Sequence, residues 1–233
     1  MTTRSVKRFS AFAMLLVIVV AAAMLLTPEP AAAGSAVVQD YEVFKPEPPI
    51  SAGMHVVFRR IVARSVTELE WRVTVQKSSY PGPVEIAWVR PRSDGSVPNA
   101  TLRVLTGLDK GRTFGPVFGI GDPDETEWTA PWVSREVLRE LRTGKRAYNF
   151  RTGGANLAGL FSGDLLVEEE ILYPVEINGN RMYLPAFVTG KGQFTIWNNL
   201  ANPLVLEYRP LGVPLITGVG GWKAESIWVS GAI

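Results

Sequence analysis

The sequence predicts a mainly β protein, either an antiparallel β-sandwich or a barrel-like meander, with one short α-helix at about 133–143 and an N-terminal signal helix. Three observations predict this class. The Asn178-Gly179 pair joins two apolar-rich runs and supplies the positive φ angles of a type I′ hairpin turn. Apolar and polar residues alternate from 68 to 75, which is the period of a half-buried strand. After residue 33, one segment has convincing helical spacing.

Residues 1–33 have the order of a secretory signal peptide. Three basic residues precede an uncharged run from Phe9 to Leu26, and Ala31 and Ala33 then fit the −3 and −1 positions of a cleavage site after Ala33. The apolar run is also close to the roughly 20 residues that span a bilayer. An uncleaved membrane anchor is therefore the alternative.

Charge and cysteine content limit the partners and the compartment. Without residues 1–33 the chain has 21 basic and 21 acidic residues, so its formal charge gives no reason to expect nucleic acid or an anionic membrane surface as a partner. The absence of cysteine excludes disulfides and cysteine-based metal sites. An exported domain without disulfides favours a bacterial location, periplasmic or secreted.

Residues 34–53 are predicted to form an extended, proline-rich linker, and residues 54–233 a single β-rich domain. Three prolines between Lys45 and Pro49 prevent a helix and remove donors that a sheet would need. The roughly 180 residues that follow are within the range of one sandwich or barrel.

Alternation and turn residues place the strands of this domain. Closing the hairpin on Asn178-Gly179 pairs Glu176 with Arg181 and Val175 with Met182. The glycine-rich stretch 107–131 is interpreted as an irregular loop, because it lacks the Lys-Ser/Thr ending and the strand-to-helix context of a phosphate loop. The predicted strands are 54–63, 67–77, 84–90, 100–106, 146–151, 165–177, 180–189, 193–198, 204–209 and 226–230.

The predicted helix has recognisable ends. Ser134 can cap its N-terminus, and Gly144 can supply a left-handed stop. Val137, Leu138 and Leu141 form one narrow apolar stripe, so the helix is expected to lie across one opening or edge of the sheet.

The carboxylates at 168–170 are the clearest polar feature of the strands. Alternation places Glu168 and Glu170 on one face and Glu169 on the apolar face, where a carboxylate needs a partner or a raised pKa. Glycoside hydrolysis requires two converging carboxylates, and the candidates are Glu169 with Asp164 or Asp122. A solvated strand face is the alternative, and it is favoured.

No metal site or cofactor is predicted. His55 is the single histidine and lies in a predicted strand, which favours a half-buried structural residue over a catalytic base. The acidic run 122–125 lacks the regular ligand spacing of a calcium loop.

Seven tryptophans are many for this length, and core packing accounts for most of them. Trp128 and Trp132 flank Pro131 at the helix entrance, and they are the pair expected to be partly exposed. They are therefore the candidate ligand-binding residues, since aromatic rings line many ligand sites.

Two segments carry a resemblance. The helix start Pro131-Trp132-Val133-Ser134-Arg135, the strands after it and the segment from Asn202 to Leu206 resemble a pattern in uncharacterised bacterial exported β-rich proteins. The resemblance covers roughly the C-terminal half of the chain. It implies a cell-envelope location and no assigned activity.

Three functions are compatible with the sequence. The first is a non-enzymatic exported β-domain that binds a small ligand or another envelope component through its loops and its helix-covered end. The second is a glycan hydrolase that uses paired carboxylates. The third is a carrier whose strands enclose a cavity for an apolar molecule. The first is favoured because no catalytic motif is present.

Overall fold

A computed structural model describes residues 42–62, 65–89, 100–115, 125–153, 162–210 and 221–230. These residues form thirteen strands and one helix, so the predicted mainly β class with a single short helix is confirmed. The strands are β1 (Glu42–Val43), β2 (His55–Val62), β3 (Ser65–Ser78), β4 (Val84–Val89), β5 (Thr101–Leu105), β6 (Thr113–Phe114), β7 (Glu125–Thr126), β8 (Arg146–Thr152), β9 (Ser162–Ile177), β10 (Asn180–Thr189), β11 (Phe194–Trp197), β12 (Val205–Tyr208) and β13 (Gly221–Trp228). All ten predicted strands are present. β1, β6 and β7 were not predicted because two residues show no alternation.

The strands form one large mixed sheet, and five of them close into a ring. β2 to β5 are an antiparallel meander. β9 to β13 pair antiparallel in chain order, and β13 then pairs in parallel with β9, with Ile227 opposite Ile177. An odd number of strands that alternate in direction can close only through a parallel pair. Three other short pairs, β1–β10, β5–β7 and β6–β8, are also parallel, so the sheet is mixed, although most of its pairs are antiparallel.

The β9–β10 hairpin has the register that the sequence predicts. Asn178 and Gly179 have φ angles of 49° and 83°, as a type I′ turn requires. Glu176 lies opposite Arg181, and Val175 lies opposite Met182. The turn also contacts the end of β13, because the Asn178 side chain accepts a hydrogen bond from Val229 N at 2.9 Å and donates one to Val229 O at 3.2 Å. The tip of the hairpin is thereby fixed beside the parallel pair that closes the ring.

Helix α1 (Arg135–Gly144) lies close to its predicted position. Ser134 caps it by accepting a hydrogen bond from Val137 N at 3.3 Å, and the predicted stripe of Val137, Leu138 and Leu141 is buried. The predicted left-handed stop at Gly144 is wrong by one residue. Gly144 is still helical, and Lys145 takes the left-handed conformation with φ of 54°.

Buried aromatic and aliphatic side chains form the hydrophobic core that the sheet encloses. Phe194, Tyr208 and Trp222 form a continuous ring contact, with centroids 5.1 Å and 4.9 Å apart along the series. Within the ring of strands, the Tyr173 hydroxyl reaches across from β9 to the carbonyl oxygens of Leu206 and Ala224, at 3.4 Å each. This contact shows that side chains occupy the middle of the ring.

The described part of the predicted linker, residues 42–53, packs on the domain as an extended segment. β1 pairs with β10, and Phe44 and Ile50 are buried. Ile50 N donates to Ala201 O at 3.0 Å, and the Asn199 side chain donates to Pro48 O at 3.1 Å. The prolines remove donors from this segment, but its remaining backbone groups find partners on the domain.

Residues 1–41 lie outside the described residues, and so do the predicted signal peptide and its cleavage site. Among the residues that are described, no helix has the length and apolar character needed to cross a membrane. The signal peptide and the membrane anchor therefore remain alternative predictions.

Candidate functional site

Trp128 lies where the segment after β7 crosses β6, and local hydrogen bonds fix its position. Trp128 N donates to Thr126 Oγ1 at 3.1 Å, and Thr129 N donates to Thr113 O at 3.1 Å. Gly153, at the end of β8, donates from its backbone to Phe114 O at 2.9 Å. Three segments that are distant in sequence therefore meet around one tryptophan, which is half-buried.

Two glycines make room for the Trp128 indole. A Cβ atom added at Gly115 would lie 2.3 Å from Cδ2 and 2.4 Å from Cε3 of Trp128, so the indole packs directly against the backbone there. A Cβ atom at Gly153 would lie 2.6 Å from Thr113 Cγ2 and 3.4 Å from Trp128 Nε1. Gly115 belongs to the stretch that the sequence predicts to be an irregular loop. Glycine is needed at this position because any side chain would collide with the Trp128 indole.

Trp128 forms part of the wall of an open cleft with a volume of about 820 Å³. This size falls within the roughly 300–1,000 Å³ of small-molecule sites. We call it the Trp128 cleft. Its described lining comes from residues 110–113, 125–128 and 151–153.

The lining of the Trp128 cleft carries charges of both signs. Lys110, Glu125 and Glu127 are exposed, and none of the three makes an ion pair within the described ranges. Arg151 is also exposed, and its Nε donates to Thr113 Oγ1 at 3.0 Å. These side chains keep donors and acceptors available to a ligand.

Arg112 is the lining residue whose charge is already compensated. Its guanidinium contacts Glu136 at 2.5 Å and Glu140 at 2.6 Å, and it donates to Tyr148 O at 2.7 Å. The hydrogen bond from Arg112 lowers the pKa of Glu140 below its ordinary value, with a further contribution from the Tyr148 amide. These contacts connect the cleft to α1 and β8, so the role of Arg112 is structural.

Trp132 does not join Trp128 in the cleft, and the expectation that it is partly exposed is wrong. Its side chain is 0% exposed, and its Nε1 donates to Asn202 Oδ1 at 2.8 Å. Pro131 lies between the two residues, and backbone contacts of Val133 with Pro203 and of Pro131 with Val205 draw this segment into the core. Trp132 therefore offers no surface to a ligand, and its proposed ligand-binding role has no structural support.

The candidate catalytic carboxylates do not converge among the described residues. Asp164 accepts hydrogen bonds from Arg146 Nη2 at 2.5 Å and from Asn149 N at 3.0 Å, and these bonds lower the pKa of its carboxyl group. Glu169 is exposed, so the expectation of an inward carboxylate is wrong. At about 3.3 Å per residue along β9, the Cα atoms of Asp164 and Glu169 are roughly 16 Å apart. Asp122 lies outside the described residues.

The residues beside Glu169 belong to a solvated face of β9. Glu170 pairs with Lys145, and Glu168 accepts a hydrogen bond from the backbone of Lys191. Val167 and Ile171, on the same predicted face as Glu169, are only half-buried. Leu165 and Tyr173 are both buried, so the water-exposed part of β9 is a local stretch, and the register of β9 against β10 shifts there, between Val167 and Glu169.

His55 is half-buried in β2 and stacks on Trp228, with ring centroids 5.5 Å apart and planes at 17°. The described ranges contain no group of three or more histidine, aspartate or glutamate residues that could hold a metal ion. Residues 122–124 of the acidic run lie outside the described residues.

Comparison with protein-family models, with curated proteins and with solved structures finds no match to this chain. The resemblance to bacterial exported β-rich proteins therefore stays a prediction. Sequence reasoning identified Trp128 but missed Lys110, Glu127 and Arg151 beside it. No local pattern marks these three residues, because each belongs to a different segment.

Proposed function

We propose that this chain is an exported, non-enzymatic binding module of the bacterial cell envelope and that its ligand occupies the Trp128 cleft. The observation that carries the proposal is a half-buried tryptophan in the wall of an open cleft, beside charged side chains without ion-pair partners in the described ranges. Ligand sites commonly combine an aromatic surface with a few polar groups that orient the ligand. The ligand is a small molecule or part of another envelope component.

The placement of the carboxylates favours binding over glycan hydrolysis. A glycosidase needs two carboxyl groups about 5–9.5 Å apart across its substrate. Asp164 is engaged by Arg146 and Asn149, and Glu169 projects from an exposed part of β9. Asp164 and Glu169, the described members of the expected acid pairs, therefore do not face each other across a substrate, and neither lines the Trp128 cleft.

The packing of the ring favours binding at the surface over transport of an apolar molecule inside the strands. The Tyr173 hydroxyl reaches the Leu206 and Ala224 carbonyl oxygens across the ring, and Leu184, which lies opposite Tyr173 on β10, is fully buried. The Trp128 cleft lies outside this interior and has a charged lining. An apolar ligand there would remove charges from water without pairing them, which is costly.

The N-terminal sequence supports export. A basic start, an uncharged run from Phe9 to Leu26 and alanines at 31 and 33 are the parts that a signal peptide needs. A formal charge of zero after residue 33 supports a partner other than nucleic acid. If the signal is not cleaved, the same segment anchors the domain to the membrane.

Fractionation of a bacterium that expresses the full chain tests the location. We expect the periplasmic or secreted fraction to contain a protein whose N-terminal residue is Gly34. An intact N-terminus in the membrane fraction would favour the anchor. A full-length protein in the cytoplasmic fraction would contradict the export proposal.

A panel of small ligands from several chemical classes tests the binding proposal. The panel contains soluble trisaccharides, dipeptides, nucleotides and a short-chain fatty acid. Binding is followed through the indole N–H signals in NMR spectra of the folded protein. We expect at least one class to shift the Trp128 signal, which is assigned by its loss in Trp128→Phe. If no class shifts this signal, a ligand site at the Trp128 cleft is contradicted.

A further inference from the structure

We infer that the ligand of the Trp128 cleft is a saccharide, with one sugar ring stacked on the exposed part of the Trp128 indole. This inference rests on the proposed function and specifies its ligand class. It depends on the surface that the indole presents, on the signs of the surrounding charges and on the volume of the cleft.

The Trp128 indole has one covered face and keeps part of its surface accessible. Gly115 lies against the fused-ring carbons, since a Cβ there would be 2.3–2.5 Å from Cδ2, Cε3 and Cγ. Trp128 is nevertheless half-buried rather than buried, and it lines the cleft, so part of the residue stays accessible to a ligand there. A flat apolar face that is fixed from behind suits the C–H face of a pyranose ring, because stacking requires little loss of side-chain freedom.

The polar groups near the indole match a hydroxyl-rich ligand. Trp128 Nε1 makes no hydrogen bond within the described ranges, and it can donate to a ligand. Lys110 and Arg151 supply further donors, while Glu125 and Glu127 supply acceptors. A sugar hydroxyl both donates and accepts, so it can use both sets.

The charges of both signs argue against a ligand that carries a single charge and against an apolar ligand. A small anion attracted by Lys110 and Arg151 would be repelled by Glu125 and Glu127. A small cation would be attracted by the two glutamates and repelled by the two basic residues. An apolar molecule would desolvate all four groups without pairing them. A neutral polyhydroxyl molecule avoids both penalties.

The volume favours a short oligosaccharide over a single sugar. A cleft of about 820 Å³ lies near the upper end of the roughly 300–1,000 Å³ that small-molecule sites occupy. The lining extends over three separate segments, which gives polar contacts beyond the indole. We therefore expect neighbouring rings of one chain to use the charged side chains while a single ring uses Trp128.

The test is titration of the folded domain with cellotriose, maltotriose and chitotriose, monitored by calorimetry and by the indole N–H signals. The variants are Trp128→Ala and a matched control, Trp228→Ala, which removes a tryptophan that is 40% exposed, stacks on His55 and does not line the cleft. We expect at least one trisaccharide to bind and Trp128→Ala to weaken it about tenfold or more, since it removes stacking and a donor together. Trp228→Ala should change the affinity less than twofold.

The outcomes separate this inference from the proposed function. If all three trisaccharides fail while a dipeptide or nucleotide shifts the Trp128 signal, the saccharide class is wrong and the binding module stands. If no ligand class shifts that signal, both are wrong. If a trisaccharide binds and Trp228→Ala weakens it as much as Trp128→Ala, the placement of the sugar on Trp128 is wrong. Circular dichroism of each variant, with Trp128→Phe as a second substitution, verifies that the fold is intact.

Discussion

Asn178 contributes to the closure of the five-stranded ring, and this contribution can be measured. Its side chain makes two hydrogen bonds with the backbone of Val229, and its own N–H donates to Ile227 O at 3.0 Å. Asn178→Gly keeps the positive φ that the turn requires but removes both side-chain bonds. The substitution therefore tests the attachment of the turn to the end of β13.

The expected loss of stability follows from the two hydrogen bonds. Each contributes about 0.5–1.5 kcal/mol net, so Asn178→Gly is expected to lower the free energy of unfolding by roughly 1–3 kcal/mol. Val229 is only 6% exposed, so its N–H and carbonyl have little water to replace the lost partner, which favours the upper half of that range. For a domain of this size, a loss of about 2 kcal/mol corresponds to a decrease in Tm of roughly 4–8 °C.

Asn149→Gly is the matched control. Asn149 also has a positive φ, of 53°, but it is exposed, and no hydrogen bond of its side chain is present among the described contacts. Urea denaturation of both variants should give a clear decrease for Asn178→Gly and a change within about 0.5 kcal/mol for Asn149→Gly. Equal decreases in both would assign the effect to glycine in the unfolded chain. An unchanged midpoint for Asn178→Gly would refute its contribution to closure.

Two further predictions concern the cleft. Arg112 lowers the pKa of Glu140, so this contribution to stability is present above the unfolded pKa of about 4.5 and is lost as the pH falls below it. Glu140→Gln should therefore destabilise the domain at pH 7 by roughly 1–3 kcal/mol and by less at pH 3.5, whereas a difference that is constant in urea titrations across this range would contradict the reasoning. Gly115→Ala places a Cβ atom 2.3 Å from the Trp128 indole, so it should cost about 1–3 kcal/mol and alter the tryptophan fluorescence. Gly144→Ala is the control, because a Cβ added there has no atom within 4 Å. It should neither lower the stability nor alter the tryptophan fluorescence. Equal effects of the two substitutions would rule out the packing explanation.

The sequence alone was sufficient where the determining interactions are local. The Asn178-Gly179 turn fixed the register of β9 and β10 because a two-residue turn leaves one way to pair the strands. Ser134 and the stripe at 137–141 located α1 because capping and helical spacing act within a few residues. The strand alternation likewise showed which residues share a face.

Only the tertiary structure decided which surfaces are covered and which segments meet. Alternation assigned Glu169 to the apolar face of β9, but the register of β9 against β10 shifts between Val167 and Glu169, and Glu169 is exposed. Trp128 and Trp132 are only four residues apart, yet Asn202 binds Trp132 in the core while Gly115 packs against Trp128, which stays half-buried. The closed ring and the Trp128 cleft arise from contacts between segments separated by tens of residues, and such contacts leave no periodic pattern in the sequence.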